Sequence, residues 1–189
     1  MPLPERNLLS LLGCLVFAAL IVPPASAARA LSQPSASQTQ VSGLTATLDG
    51  QPLDPIEASL YYCHTRDYPI VRCFSDPAGL EKDLGFDPGA SPDGAYLAPL
   101  AADSSSPYTT AYMDANYGGT YIVLYSDVTN LAPIGWSDDI SSVKSIYCGL
   151  PAYYTDTSYG GYVWEDTCNT GSPNLYTYDN TFSSVRNLA

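Results

Sequence analysis

Positive charge is what this 189-residue chain has least of. Lys and Arg number 7 against 19 Asp and Glu, giving a formal net charge of −12. So acidic a surface argues against nucleic acid, whose phosphates need Lys and Arg. It suits a soluble extracellular protein or one that meets cations. Histidine is scarcer still, with one copy, His64. A lone imidazole and widely spaced cysteines make no zinc set. The neighbouring Cys63 would face the other side of a strand from His64, which disfavours a Cys-His dyad. No serine sits in a nucleophile-elbow context. Beyond the first residues, glutamate occurs only at Glu57, Glu81 and Glu165, and none marks the carboxylate pair of a glycosidase. These shortages point away from an enzyme. Past residue 22 there is no long apolar run, so no membrane span is expected in the rest of the chain.

The one such run, Leu8 to Val22, is shorter than the roughly 20 residues a span needs. Arg6 precedes it, and Ala25-Ser26-Ala27 supplies a small-residue cleavage site. This is the pattern of a secretory signal peptide over 1–27, and the mature protein is expected to be secreted. Cys14 leaves with the signal and four cysteines remain: Cys63, Cys73, Cys148 and Cys168. An even number in an exported chain suggests disulfides, with three possible connectivities.

Residues 28–43 are rich in Ser, Gln and Pro and read as a disordered leader. Residues 44–106 form a small N-terminal section. In it, "ASLYYCHTRDYPIVRCFSD" (58–76) predicts two short strands around a turn at 65–69, with Cys63 and Cys73 on paired strands and bridged over a short local loop. "DPAGLEKDLGFD" (76–87) predicts a short helix with Asp76 as N-cap, Pro77 in the first turn and Gly85 as the stop. Residues 87–107 read as loop and linker. The section has little core of its own.

Residues 108–189 carry an internal repeat. One shift of 42 residues relates Tyr112 to Tyr154, Tyr117-Gly118-Gly119 to Tyr159-Gly160-Gly161, and Ser137–Val143 to Asp179–Val185. The units are strand and turn throughout, rich in Tyr, Thr and Val, so the fold class is all-β. In each unit Tyr-x4-Tyr-x-Gly suggests a folded-over hairpin, with the glycine at positive φ and the first tyrosine covering the turn. A later serine, Ser142 or Ser184, can bond to the turn's exposed backbone. "DNTFSS" (179–184) adds a cluster of hard oxygen donors, the kind that calcium takes.

Together these features resemble the βγ-crystallin family, in particular its microbial calcium-binding branch. Tyr112-x4-Tyr117-x-Gly119 and Tyr154-x4-Tyr159-x-Gly161 match the hairpin motif. Asp179-Asn180-Thr181-Phe182-Ser183-Ser184 matches the clamp Asn/Asp-Asn/Asp-x-x-Ser/Thr-Ser in full, and Trp136 looks like the family's core tryptophan. The resemblance implies two Greek key motifs packed as a sandwich of two four-stranded sheets, with Ca2+ bound reciprocally between two clamps. Carried over, it implies Asp139, Ser141, Asp179, Thr181 and Ser183 as metal ligands, the third positions Asp139 and Thr181 through their backbone carbonyls and the fifth positions Ser141 and Ser183 through their hydroxyls, with Met113 and Thr155 supplying further backbone carbonyls. Ser137 departs from the pattern: it stands where a carboxylate or amide is expected, so one site should be weaker or empty. Cys148 and Cys168 lie outside the family pattern. A bridge between them is expected, with a link to Cys63 or Cys73 as the alternative.

The expected function is therefore a secreted calcium-binding module. Two others compete with it: a protein binder such as a peptidase inhibitor, presenting "HTRDYP" (64–69), or a carbohydrate or cell-surface binder using exposed aromatic residues.

Overall fold

Strand formers dominate the two stretches that the structure, a computed structural model, describes: residues 43–85 and 106–189. The expected signal peptide, nearly all of the expected leader and most of the linker lie outside the described residues.

In the repeat, β5 (Thr109–Asp114) and β8 (Pro151–Asp156) begin and end 42 residues apart, as do β7 (Ser142–Ser145) and β11 (Ser184–Asn187). β6 (Gly118–Leu124) and β9 (Gly160–Glu165) start 42 apart. Each unit pairs its strands antiparallel: β6 and β7 flank β5, and β9 and β11 flank β8. The units also exchange a strand. β10 (Gly171–Ser172) of the second unit joins β7 of the first, and Val128 of the first unit bridges Val185 of the second. This exchange is the Greek key pairing that the repeat implies.

The folded hairpins recur nearly atom for atom. Asn116 and Tyr117 take φ of 58° and 62°, and Ser158 and Tyr159 take 57° and 62°. Gly119 and Gly161 follow at φ 71° and 75°, a region a side chain rarely tolerates. Tyr112 covers Tyr117 with ring centroids 5.5 Å apart, and Tyr154 covers Tyr159 at 5.7 Å. Lys144 and Arg186, again 42 apart, hold a cation over each tyrosine pair: Nζ lies 4.4 Å from the Tyr117 ring, and the Arg186 guanidinium 5.1 Å from the Tyr159 ring. The sandwich interior is filled by Ile122, Leu124, Trp136, Ile140, Tyr153, Phe182 and Val185, all essentially inaccessible. Burying each large side chain here contributes about 1.5–3 kcal/mol.

The N-terminal section changes the sheet count. It contains β1 (Thr45–Leu48), β2 (Gln51–Leu53), β3 (Tyr62–His64), β4 (Ile70–Phe74) and helix α1 (Pro77–Leu84). β3 pairs parallel to β6, opposing Cys63 to Ile122 and His64 to Val123. The first sheet therefore has eight strands in the order β10-β7-β5-β6-β3-β4-β1-β2. The second has three, β11-β8-β9, because its fourth member shrinks to the single bridge at Val128. The expected pair of four-stranded sheets thus becomes eight and three, by addition at one edge and shortening at another. The helix is as anticipated: Asp76 accepts from the Gly79 N–H at 2.8 Å, and Gly85 closes it at φ 76°. Leu80 and Leu84 cover Tyr112, Tyr121, Val123 and Tyr125 in a second apolar cluster.

Both expected disulfides are present. Cys63 and Cys73 face each other across β3 and β4, with Cα atoms 4.0 Å apart. Cys148 and Cys168 join over a 20-residue separation, with Cα atoms 3.9 Å apart.

Candidate metal centre

The two clamps, Ser137–Ser142 and Asp179–Ser184, meet across an approximate two-fold relation. The Asp138 N–H donates to the Phe182 carbonyl at 2.9 Å, and the Asn180 N–H donates to the Ile140 carbonyl at 3.0 Å. The four residues are two pairs separated by 42. Ile140 and Phe182 are fully buried and root each clamp in the core. Asp138 and Asn180 take φ of 60° and 53°, a left-handed turn that short Asp and Asn side chains tolerate. The fifth clamp positions are fixed next: the Ser141 N–H donates to the Tyr112 carbonyl at 2.9 Å, and the Ser183 N–H to the Tyr154 carbonyl at 2.8 Å.

These bonds sort the expected ligands into two groups. In one, the Ser141 hydroxyl donates to Asn180 Oδ1 at 3.2 Å; Met113 follows the Tyr112 that holds Ser141, and exposed Asp179 precedes Asn180. In the other, Ser137 Oγ and Ser183 Oγ lie 3.1 Å apart, and Thr155 follows the Tyr154 that holds Ser183. The Thr181 hydroxyl turns back to donate to the Tyr178 carbonyl at 2.8 Å. The Thr155 hydroxyl accepts from the Tyr162 N–H at 3.0 Å.

Half-buried Asp139 carries a carboxyl pushed above the ordinary carboxylate range, first by burial and then by the charge of Asp138. Among the described residues, ion pairs fall only in the N-terminal section, at His64–Asp83, Arg72–Asp67 and Arg72–Asp83. The acidic clamp has no protein cation among them. Also among the described residues, no three His, Cys, Asp or Glu cluster as a metal site. The clamp's donors are of another kind: hydroxyl, amide and backbone oxygens with isolated carboxylates. Hard cations such as Ca2+ accept that set, and the convergence of Ser137 with Ser183 and of Ser141 with Asn180 fits an ion held between clamps.

The first clamp has a neighbour that the repeat does not supply. A hollow open to solvent is lined by Ser137, Asp139, Ala132 and Gly135 on one side and by Ile56 and Ser59 on the other. Ile56 and Ser59 belong to the short 3₁₀ turn Pro55–Leu60, which lies outside the repeat, so no motif points to them.

His64, the sole histidine, is fully buried. Its Nε2 lies 3.0 Å from Asp83 Oδ2, and its Nδ1 accepts from the Arg66 N–H at 3.1 Å. Both ring nitrogens are engaged in holding the N-terminal section together. In the "HTRDYP" loop Thr65 is buried, and Arg66 donates to the Leu84 carbonyl and to the Tyr125 hydroxyl, each at 3.2 Å.

No protein-family model and no curated protein matches the sequence. Solved structures to which the chain is similar include βγ-crystallin domains. A beta gamma crystallin from Ciona intestinalis is 24% identical, over 42% of this chain and 96% of its own, with a TM-score of 0.39. A betagamma-crystallin from an archaeon is 26% identical over 44% of this chain and 99% of its own, at 0.38. A betagamma-crystallin domain from Flavobacterium johnsoniae is 28% identical over 43% and 94%, at 0.35.

Proposed function

We propose that this chain is a secreted calcium-binding protein of βγ-crystallin type, in which the ion tightens the sandwich rather than serving a reaction. The observation that carries this reading is the reciprocal clamp: paired backbone bonds between Asp138 and Phe182 and between Asn180 and Ile140 set serine hydroxyls from one clamp beside side-chain oxygens of the other. Ser141, Asp179, the Thr181 carbonyl and the Met113 carbonyl would hold one ion. Ser183, Asp139 and the Thr155 carbonyl would hold the other, with Ser137 the weak member. The ion supplies charge neutralisation and a crosslink between units. The apolar leader Leu8–Val22 and the two disulfides support export.

An ion that binds only the folded chain stabilises it by mass action. Extracellular calcium modules bind at about 10⁻⁴–10⁻³ M, so about 10 mM calcium should add roughly 1.4 kcal/mol or more per occupied site and raise Tm by several degrees. The test is thermal unfolding of the mature protein in calcium and in chelator, with Ser183→Ala alongside. Identical melting curves in the two conditions would exclude calcium as the ligand while leaving the fold intact.

A further inference from the structure

The hollow beside the first clamp joins two parts of the chain that the repeat does not relate. From the clamp come Ser137 and Asp139; from the N-terminal 3₁₀ turn come Ile56 and Ser59. Ser59 is 8% exposed. Its carbonyl accepts from the Thr120 hydroxyl at 2.6 Å, which anchors the turn on β6. Its hydroxyl has no hydrogen-bond partner among the described residues. Gly135, at φ 71°, makes the close approach possible: a Cβ there would stand 2.9 Å from Ser59 Oγ and 2.1 Å from the Ile56 carbonyl oxygen. Two oxygens of the N-terminal section thus press against the residues leading into the clamp. That hydroxyl belongs to a residue lining the hollow with Ser137 and Asp139, where a bound ion could take it up.

The first clamp is short of an oxygen where the second is not. Ser137, neutral and short, stands at the position held by Asp179 in the second clamp, and its hydroxyl is already shared with Ser183 at 3.1 Å and Asp138 at 3.4 Å. We infer that Ser59 completes this site: its hydroxyl joins the Asp139 carboxylate and Ser137 around a divalent cation in the hollow, so the N-terminal section is part of the metal site and not only an extension of the sheet. This inference rests on the calcium reading and adds to it a donor from outside the repeat. It also gives the covered β6 edge a consequence, since the contact that orders Pro55–Leu60 on that strand delivers Ser59 to the ion. Calcium at this site then holds the N-terminal section to the sandwich, while calcium at the Ser141–Asp179 site does not.

Calorimetric calcium titration of the full mature protein tests it, with wild type, Ser59→Ala, Ser59→Asp and Ser141→Ala compared. Ser59→Ala should weaken one binding step about tenfold, the scale on which lost supporting groups act at metal sites, and leave the other step unchanged. Ser59→Asp should tighten the same step and lower Tm in chelator, because the new carboxylate shares the hollow with Asp139 and no cation is there to offset the two charges. Ser141→Ala should weaken the other step. Should both Ser59 variants leave every step within about twofold of wild type while Ser141→Ala weakens its own, against the tenfold loss expected of a supporting group, the role of Ser59 is refuted and the calcium reading stands. No calcium heat from the wild type would refute both.

Discussion

Ser137 and Ser183 sit 46 residues apart in sequence with their hydroxyl oxygens 3.1 Å apart. Two neutral hydroxyls bonded to each other make a poor cation site, and that pairing is what a serine in place of a carboxylate at position 137 produces. Ser137→Asp should convert it. The variant is expected to bind calcium at this site about tenfold more tightly, a change of roughly 1.4 kcal/mol. In chelator it should unfold at lower temperature, with three successive carboxylates at 137–139. Calorimetry with and without calcium checks both halves of the expectation, and an unchanged affinity would move the ion away from Ser137.

Ser142 and Ser184 carry the hairpins. Ser142 Oγ donates to the Asp114 carbonyl at 2.6 Å and accepts from the Tyr117 N–H at 3.0 Å; Ser184 does the same with Asp156 and Tyr159 at the same two distances. Both serines are fully buried. Alanine at either position strands a backbone donor and a backbone acceptor, each costing about 1–3 kcal/mol when no water replaces the partner. Each variant should lose about 2–4 kcal/mol in urea unfolding, and the two losses should be similar because the geometries are.

Those serines, the tyrosine pairs and the positive-φ glycines were legible because the chain repeats them at one spacing, and the bounds of β5 with β8 and of β7 with β11 obey it. The pairing of β3 with β6 was not legible, since no local pattern says which edge an extra strand will join. Its trace lies in the difference between the copies: Val123 is fully buried beneath the N-terminal section, while its counterpart Glu165 is charged and exposed on the uncovered β9. The β1–β2 hairpin does carry a local signal, Asp49-Gly50, whose φ values of 48° and 80° are those a tight two-residue turn demands. Ser59 has no signal at all, because its place in the hollow that Asp139 also lines depends on the same strand pairing.

Gly161 tests the hairpin from the other side. Its φ is 75°, and a Cβ there would come within 2.2 Å of Thr155 Oγ1, the atom that accepts the Tyr162 N–H. At Gly119 the nearest obstacle is Asp114 Oδ2, at 2.8 Å. Gly161→Ala must therefore carry left-handed backbone strain of about 1–2 kcal/mol and displace a hydrogen-bonded hydroxyl as well. It is expected to destabilise more than Gly119→Ala in the same denaturant series. Because Thr155 is a candidate carbonyl donor, Gly161→Ala should also weaken the calcium step shared with Ser183.

His64 sets a pH dependence whose direction can be worked out. Burial, the largest influence, pushes its pKa below the usual 6.5; Asp83, hydrogen-bonded to Nε2, opposes this, and the charges of Arg72 and Arg66 reinforce it. The unfolded chain takes up a proton near pH 6.5, the ordinary histidine value, while the folded chain resists until the pH is lower. More protons bind the unfolded state in that window, so stability is full above about 6.5 and declines as pH falls toward the folded pKa. The slope can reach about 1.4 kcal/mol per pH unit. Urea unfolding of wild type should weaken between about pH 7.5 and 5.5, whereas His64→Gln, less stable at neutral pH for want of the buried ring, should stay nearly level across that range. A wild-type profile that rises on acidification would mean that Asp83 outweighs burial and that the ring is charged in the fold.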